Sequence, residues 1–217
     1  MHHSVINLIA IKDLLKKKTE NRQPPTIIAV SKTFKVDSIL PLIEYGQIHF
    51  GENKVQETQE KWTNLRSIYP EVKLHMVGKL QSNKVKFAIS LFDYIHSLDN
   101  LKLAEKIANE QAKVNKKIKI FIQINIGDED QKNGIKTEKL QEFRKRCVEE
   151  FKLDIIGLMC LPPKNLDPSN YFLKMKKKLQ ESDLKELSMG MSEDYLEAVD
   201  YGSTYIRIGK KIFGERY

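Results

Sequence analysis

Eight short apolar runs alternate along this chain with longer stretches of helical periodicity, and no tight hairpin turn joins one run to the next. The runs begin at Thr26-Ile27-Ile28-Ala29-Val30 and continue with Ile48-His49-Phe50, Val72 to Val77 and Tyr94-Ile95-His96. Ile118 to Ile124 is the strongest, followed by Ile155 to Leu158, a weak run at Leu184 to Leu187, and Tyr205 to Ile208. Strands that cannot pair through hairpins pair in parallel, through crossover helices. An open doubly wound sheet and a closed (β/α)8 barrel both satisfy this pattern, and the count of eight favours the barrel.

The stretches between the runs supply those helices. Leu101, Ala104, Ile107, Ala108 and Ala112 recur at helical spacing, with Asp99 placed to cap the start. Leu140, Phe143, Cys147, Val148 and Phe151 repeat the pattern, and Asp167-Pro168 predicts an N-cap and first-turn proline. Val5, Leu8, Ile9, Lys12 and Leu15 predict an extra leading helix within residues 1–20, ahead of a barrel over residues 26–217. With no linker, repeat or low-complexity tract, the expectation is a single domain of 217 residues.

Composition narrows the class. A hydrophobic content of 41% supplies a core. Lys plus Arg number 37 against 29 Asp plus Glu, a formal net charge of +8, which raises a nucleic-acid reading. The basic runs, Lys16-Lys17-Lys18 and Lys174 with Lys176 to Lys178, fall in helical stretches and read as solvated faces, so nucleic-acid binding is not favoured. Cys147 and Cys160 read as small core hydrophobes in a reducing compartment, and no Cys/His spacing suits zinc. His2 and His3 read as a frayed terminus. No run has membrane-spanning length and no signal peptide is evident, so a cytoplasmic protein is expected.

In such a barrel the chemistry sits where strands end. Lys32 follows a strand buried on both faces, so desolvation could lower its pKa and make its amine a nucleophile suited to a Schiff base. The alternative is a lysine that simply reaches solvent. Ser192, after Gly190, stands at the expected start of a helix, either as a phosphate ligand or as a cap. Glu193 and Asp194 must then turn away from any anion. Arg207 and Gly209, at the end of the last strand, could bring charge and bare amides to a phosphate or ring nitrogen. The spacing there is wrong for a P-loop, and Gly190-Met191-Ser192 is not a hydrolase elbow. His75 to Lys84 offers polar groups at a strand end, with His75 itself reading as a hydrogen-bonded core histidine.

These segments together resemble the YggS/PROSC family of pyridoxal 5′-phosphate (PLP) homeostasis proteins. The resemblance rests on Ala29 to Thr33, Phe50 to Asn53, His75 to Lys84, His96 to Asp99, Gln123 to Ile126, Gly157 to Met159 and Leu187 to Arg216. It implies a barrel similar to the N-terminal domain of alanine racemase, with PLP as an aldimine on Lys32. It further implies phosphate contacts from Ser192 and the backbone at Arg207 to Gly209, and Asn53 beside the cofactor. Arg207 would face the pyridine nitrogen and weaken the ring as an electron sink, and Met189 would lie in the pocket wall. Lys79, Gly127 and Asn133 depart from the family pattern. The loop Gln131 to Gly134 is read as a lid or transfer element. After the last strand too few residues follow for the second domain of a racemase. The expectation is therefore a monomeric PLP carrier or buffer without robust turnover, with PLP-requiring apo-enzymes as partners. A PLP-dependent racemase or lyase is the alternative, and a basic nucleic-acid-binding module the second.

Overall fold

The structure, a computed structural model, describes residues 1–20, 22–129, 133–163 and 165–215. A leading helix α1 (His3–Lys18) precedes strand β1 (Thr26–Val30). Then follow α2 (Val36–Glu44), β2 (His49–Glu52), α3 (Val55–Ile68), β3 (Lys73–Met76), α4 (Val85–Leu91) and β4 (Tyr94–Leu98). The middle of the chain forms α5 (Leu101–Val114), β5 (Lys119–Ile124), α6 (Leu140–Glu149) and β6 (Asp154–Cys160). It ends with α7 (Ser169–Gln180), β7 (Glu186–Ser188), α8 (Tyr195–Asp200), β8 (Tyr205–Ile208) and α9 (Lys210–Phe213).

The strands close into a parallel barrel in sequence order, with β8 paired to β1. The predicted (β/α)8 fold with its leading helix is borne out. Among the described residues no helix is long and apolar enough to cross a membrane.

Register sorts each strand into two faces. Phe50, Leu74, Met76, Ile95, Ile120, Ile122 and Leu187 join helix residues such as Trp62, Ile107 and Phe172 in one continuous core around the barrel. The intervening residues point inward. There, Tyr94, Phe121 and Met159 cluster with Ile156 and Tyr205. His75 stacks on Tyr94 and His96 on Phe121. Stacked rings thus fill the interior, half apolar and half polar.

Local chemistry moved several predicted boundaries by a residue or more. Asn100, not Asp99, caps α5, its side chain accepting from the Leu103 amide at 2.8 Å. Asp167 does accept from the Ser169 amide, but the helix starts after Pro168. His2 and His3 are not frayed. His2 caps α1 by accepting from the Ser4 amide, and His3 lies 3.2 Å from the Phe213 carbonyl oxygen. Asn7 donates to the Ile212 carbonyl at 3.1 Å, so α1 clasps α9 at the far end of the chain. Val5, Leu8, Ile11 and Leu15 form its buried stripe, leaving Lys12 outside it.

Gly157 shows how closely β6 and β7 approach. A Cβ there would stand 2.1 Å from the Glu186 carbonyl oxygen, against backbone that has nowhere to go. Gly157→Ala is expected to cost roughly 1–3 kcal/mol, the usual penalty of overpacking, read as a lowered urea midpoint with unchanged m-value. An unchanged midpoint would mean the two strands are farther apart in solution.

Candidate functional site

Four contiguous strands, β7, β8, β1 and β2, bring the expected site residues to one arc of the upper barrel mouth. Val30 pairs with Gly51 and Ala29 with Ile208, so the chain leaves β1, β2 and β8 side by side. Lys32, half-buried, sits in the turn just past β1. Asn53, also half-buried, is the first residue past β2. A Cβ on Gly209 would lie 3.2 Å from the Val30 carbonyl oxygen, which places the end of β8 directly against the end of β1.

Ser192 is not the cap of α8. That helix begins at Tyr195, because Gly190 takes a φ of +90° and the chain makes a turn before the helix starts. A side chain at Gly190 would also meet Ala198 Cβ at 2.7 Å. The turn swings Ser192 toward the start of α9, where its Oγ accepts from the Lys211 amide at 3.3 Å. Asp194 folds back to accept from the Met191 amide at 2.6 Å, which spends its carboxylate on the loop backbone.

Arg207 points into the barrel and is 5% exposed. Nη1 donates to Ser188 Oγ at 2.6 Å and Nη2 to the Cys160 carbonyl at 2.8 Å. Its backbone amide donates to the Gly190 carbonyl at 2.9 Å. Burial pulls its pKa down from the ordinary arginine value, partly countered by Cys160 and Asp194. The Cys160 thiol is no counter-ion, since burial pushes it up to about 12 and keeps it protonated. Among the described residues no ion pair includes Arg207. A buried cation held only by a hydroxyl and a carbonyl is costly unless something electron-rich completes its shell.

Met189 is fully buried and belongs to the core outside the barrel wall, while its neighbour Ser188 faces inward. Met159 is the methionine of the barrel interior.

A polar network lies beneath Lys32 that strand-end reasoning does not predict. Glu52, the last residue of β2, is fully buried. Its Oε1 accepts from Ser31 Oγ at 2.7 Å, Trp62 Nε1 at 2.9 Å and Lys61 Nζ at 3.0 Å. Lys61 also donates to the Ser31 carbonyl and to Glu57, and Glu57 accepts from the Thr33 amide. Burial alone would raise the Glu57 carboxyl, but the Thr33 amide and Lys61 more than offset it and hold it low. Thr33 takes a φ of +70°, unusual for a non-glycine residue. Both residues flanking Lys32 are therefore tied to one charged cluster. A glutamate and a lysine amid buried positions of β2 and α3 were the only available sequence signal.

Two departures from the family pattern meet in space. Lys79 Nζ donates to Asn133 Oδ1 at 2.7 Å, linking the loop after β3 to the loop after β5. At the third, a side chain on Gly127 would strike Pro163 at 2.7 Å. Of the loop expected to act as a lid, Gln131 and Lys132 lie outside the described residues.

A family model described as "Alanine racemase, N-terminal domain" matches residues 6–217. The chain belongs to the alanine racemase N-terminal domain family. Its relatives in this family include the pyridoxal phosphate homeostasis protein of Haemophilus influenzae, 38% identical over 97% of this chain and 94% of that one. The protein of the same name from Escherichia coli K12 is 33% identical over 97% and 95%. Among solved structures, PipY of Synechococcus elongatus PCC7942 without PLP has a TM-score of 0.88 at 31% identity, covering 98% of this chain and 100% of that one. PipY with PLP bound has a TM-score of 0.86 at 31% identity, covering 97% and 100%. An alanine racemase of Clostridium difficile 630 shares the fold, with a TM-score of 0.73 at 19% identity, this chain covering 57% of that one. The family read from the motifs is borne out.

Proposed function

We propose that this chain binds PLP at the upper barrel mouth and serves intracellular vitamin B6 homeostasis as a carrier or buffer. The observation that carries the proposal is Arg207, a buried cation in no ion pair among the described residues, on the strand next to the one that delivers Lys32. The donor set suits this cofactor's three functional groups. Lys32 offers an amine to the aldehyde. Ser192 and the amides at Gly209 to Lys211 offer donors to the phosphate, and the long 3.3 Å bond between them is readily exchanged for an anion. The fork of Arg207 retains N–H donors for the ring nitrogen. Asn53 flanks the same arc, and the buried Met189 lies in the segment that leads from β7 to Ser192.

When bound, the cofactor supplies a reactive aldehyde and a conjugated ring. The chain's residues hold and orient it. An arginine at the ring nitrogen has little tendency to give up its proton, so the ring stays a weak electron sink, which suits storage better than turnover. Near-complete coverage of the homeostasis proteins supports the same choice. The free, buried thiols of Cys147 and Cys160 suit a cytoplasmic setting. The recipients on this reading are PLP-requiring apo-enzymes, served by a monomer.

Purified protein titrated with PLP should develop a saturable visible absorbance band, and a protein that stays colourless sinks the proposal. Ser192→Ala should weaken PLP by roughly tenfold or more, the worth of a hydrogen bond to a charged group, and leave pyridoxal without its phosphate unaffected. Equal weakening of both ligands would move the phosphate elsewhere. Rapid α-proton exchange of any amino acid in deuterated water, lost with Lys32, would replace the carrier reading with a catalytic one.

A further inference from the structure

A line of hydrogen bonds runs down the barrel interior from Arg207 to the opposite mouth. Below the Arg207 to Ser188 bond, Ser188 Oγ lies 2.9 Å from His96 Nδ1. His96 Nε2 lies 2.9 Å from His75 Nδ1, and His75 Nε2 lies 2.9 Å from His49 Nδ1. His75 and His96 are fully buried, whereas His49, the first residue of β2, is half-buried at the lower mouth.

Hydrogen counting gives this line a direction. Burial holds His75 and His96 well below the ordinary histidine range, so both rings are neutral, each with one donor and one acceptor. Arg207 can only donate. If Ser188 passes its hydrogen to His96 Nδ1, every member finds a partner, and all three rings carry their proton on Nε2. The reverse direction makes Ser188 Oγ accept from both Arg207 and His96. Its buried hydroxyl hydrogen is then left without an acceptor among the described residues.

We propose that His49, His75 and His96 form a tautomeric relay through which protonation at the lower mouth resets the hydrogen bond of Ser188 to Arg207. His49 Nδ1 accepts in the neutral chain, so a charged His49, with hydrogens on both nitrogens, has to donate to His75. The proton of His75 then sits on Nδ1 and that of His96 on Nδ1, both rings staying neutral. The whole line holds one proton more, taken from bulk water. Ser188 then accepts from His96 and Arg207 together, and its own hydrogen must turn away. On the PLP reading, on which this last consequence rests, acid conditions loosen the anchor of the arginine at the ring nitrogen.

The surroundings of His49 set where this happens. Burial and the nearby Lys73 on β3 disfavour its charge, Asp93 ahead of β4 favours it, and Lys119 on β5 disfavours it. Arg66 pairs with that Asp93 at 3.2 Å. Tyr94 presents its ring edge to His49, and Tyr205, with Glu186 near it, faces His75. Arg207 itself opposes a charge on His96. The net effect lowers His49, so the switch lies below the ordinary histidine midpoint of about 6.5.

The test is long-range proton–nitrogen NMR on the full chain, labelled at histidine and without added PLP, from about pH 8 to about pH 5. At high pH all three rings should report Nε2–H. On acidification His49 should gain charge in the same transition in which His75 and His96 change to Nδ1–H. In His49→Phe the other two rings should keep Nε2–H throughout. Nδ1–H rings at high pH, or a His49 that titrates while its neighbours do not change, would overturn the relay. These readouts need no cofactor, so their failure leaves PLP binding untouched. Loss of PLP binding would in turn leave them untouched.

Discussion

Lys32→Ala is expected to abolish covalent PLP attachment while the barrel stays folded. Wild-type protein incubated with PLP and borohydride should fix one label in the peptide that contains Lys32, and the variant should fix none at its remaining mouth residues. The chain leaves β1 at Val30 and reaches Lys32 within two residues, so the amine hangs from a strand paired on both sides. The residue is half-buried and lies outside the hydrophobic core, so truncating it removes no core packing and the cooperative urea transition should persist. Amines elsewhere on this lysine-rich surface react weakly with aldehydes and set the background. The saturable visible band and the Lys32 peptide adduct should therefore vanish together. A variant that keeps the band would move the attachment point to another lysine, and a variant that loses it by unfolding would show as a lost urea transition.

The barrel was legible because each strand announces itself. Ile27 to Val30 is an unbroken apolar run and Ile118 to Ile124 is interrupted only by Lys119 and Gln123, close to what strands buried on both faces require. The weak run at Leu184 to Leu187 begins before the strand, and β7 is Glu186–Ser188. Its polar ends carry inward-facing groups, which blur the apolar signal. The positions of Lys32, Ser192, Arg207 and Gly209 could be read from the rule that barrel chemistry follows strand ends. Ser192 precedes the helix rather than starting it, because the positive φ of Gly190 inserts a turn that sequence spacing does not reveal.

The histidine line was not legible as a line. His49, His75 and His96 each stand in an apolar strand, and His75 was recognised as a hydrogen-bonded core histidine. Their meeting depends on register, Gly51 opposite His75 and His75 opposite Tyr94, which no local pattern supplies. The Glu52 cluster failed to show for a similar reason. Glu52 ends β2 and Lys61 lies two turns into α3, and only the packing of that helix on that strand brings them within 3.0 Å.

That cluster leads to the second large expected effect. Lys61→Met should destabilise the fold by roughly 3–5 kcal/mol, as removal of one partner from a buried ion pair does. Lys61 is 8% exposed and Glu52 fully buried, so solvent cannot take over the lost bonds. The substitution preserves the apolar stem and deletes the donor to Glu52, Glu57 and the Ser31 carbonyl. Glu52 Oε2 already has no partner among the described residues, so the carboxylate would rest on Ser31 and Trp62 alone. The double variant Glu52→Gln with Lys61→Met should recover part of the loss, because no unpaired charge is left buried. Glu57 adds a pH signature. Its carboxyl is held low in the folded protein, so its contribution is present above the ordinary glutamate range and disappears as pH falls through the folded value. With Lys61 gone, that acid-side decline should begin at a higher pH. The same variant should also slow PLP attachment, since Ser31 and Thr33 lose the cluster that fixes the turn around Lys32. A cost below about 1 kcal/mol, the worth of an exposed ion pair, would mean that water reaches the cluster and that the turn is held by other means.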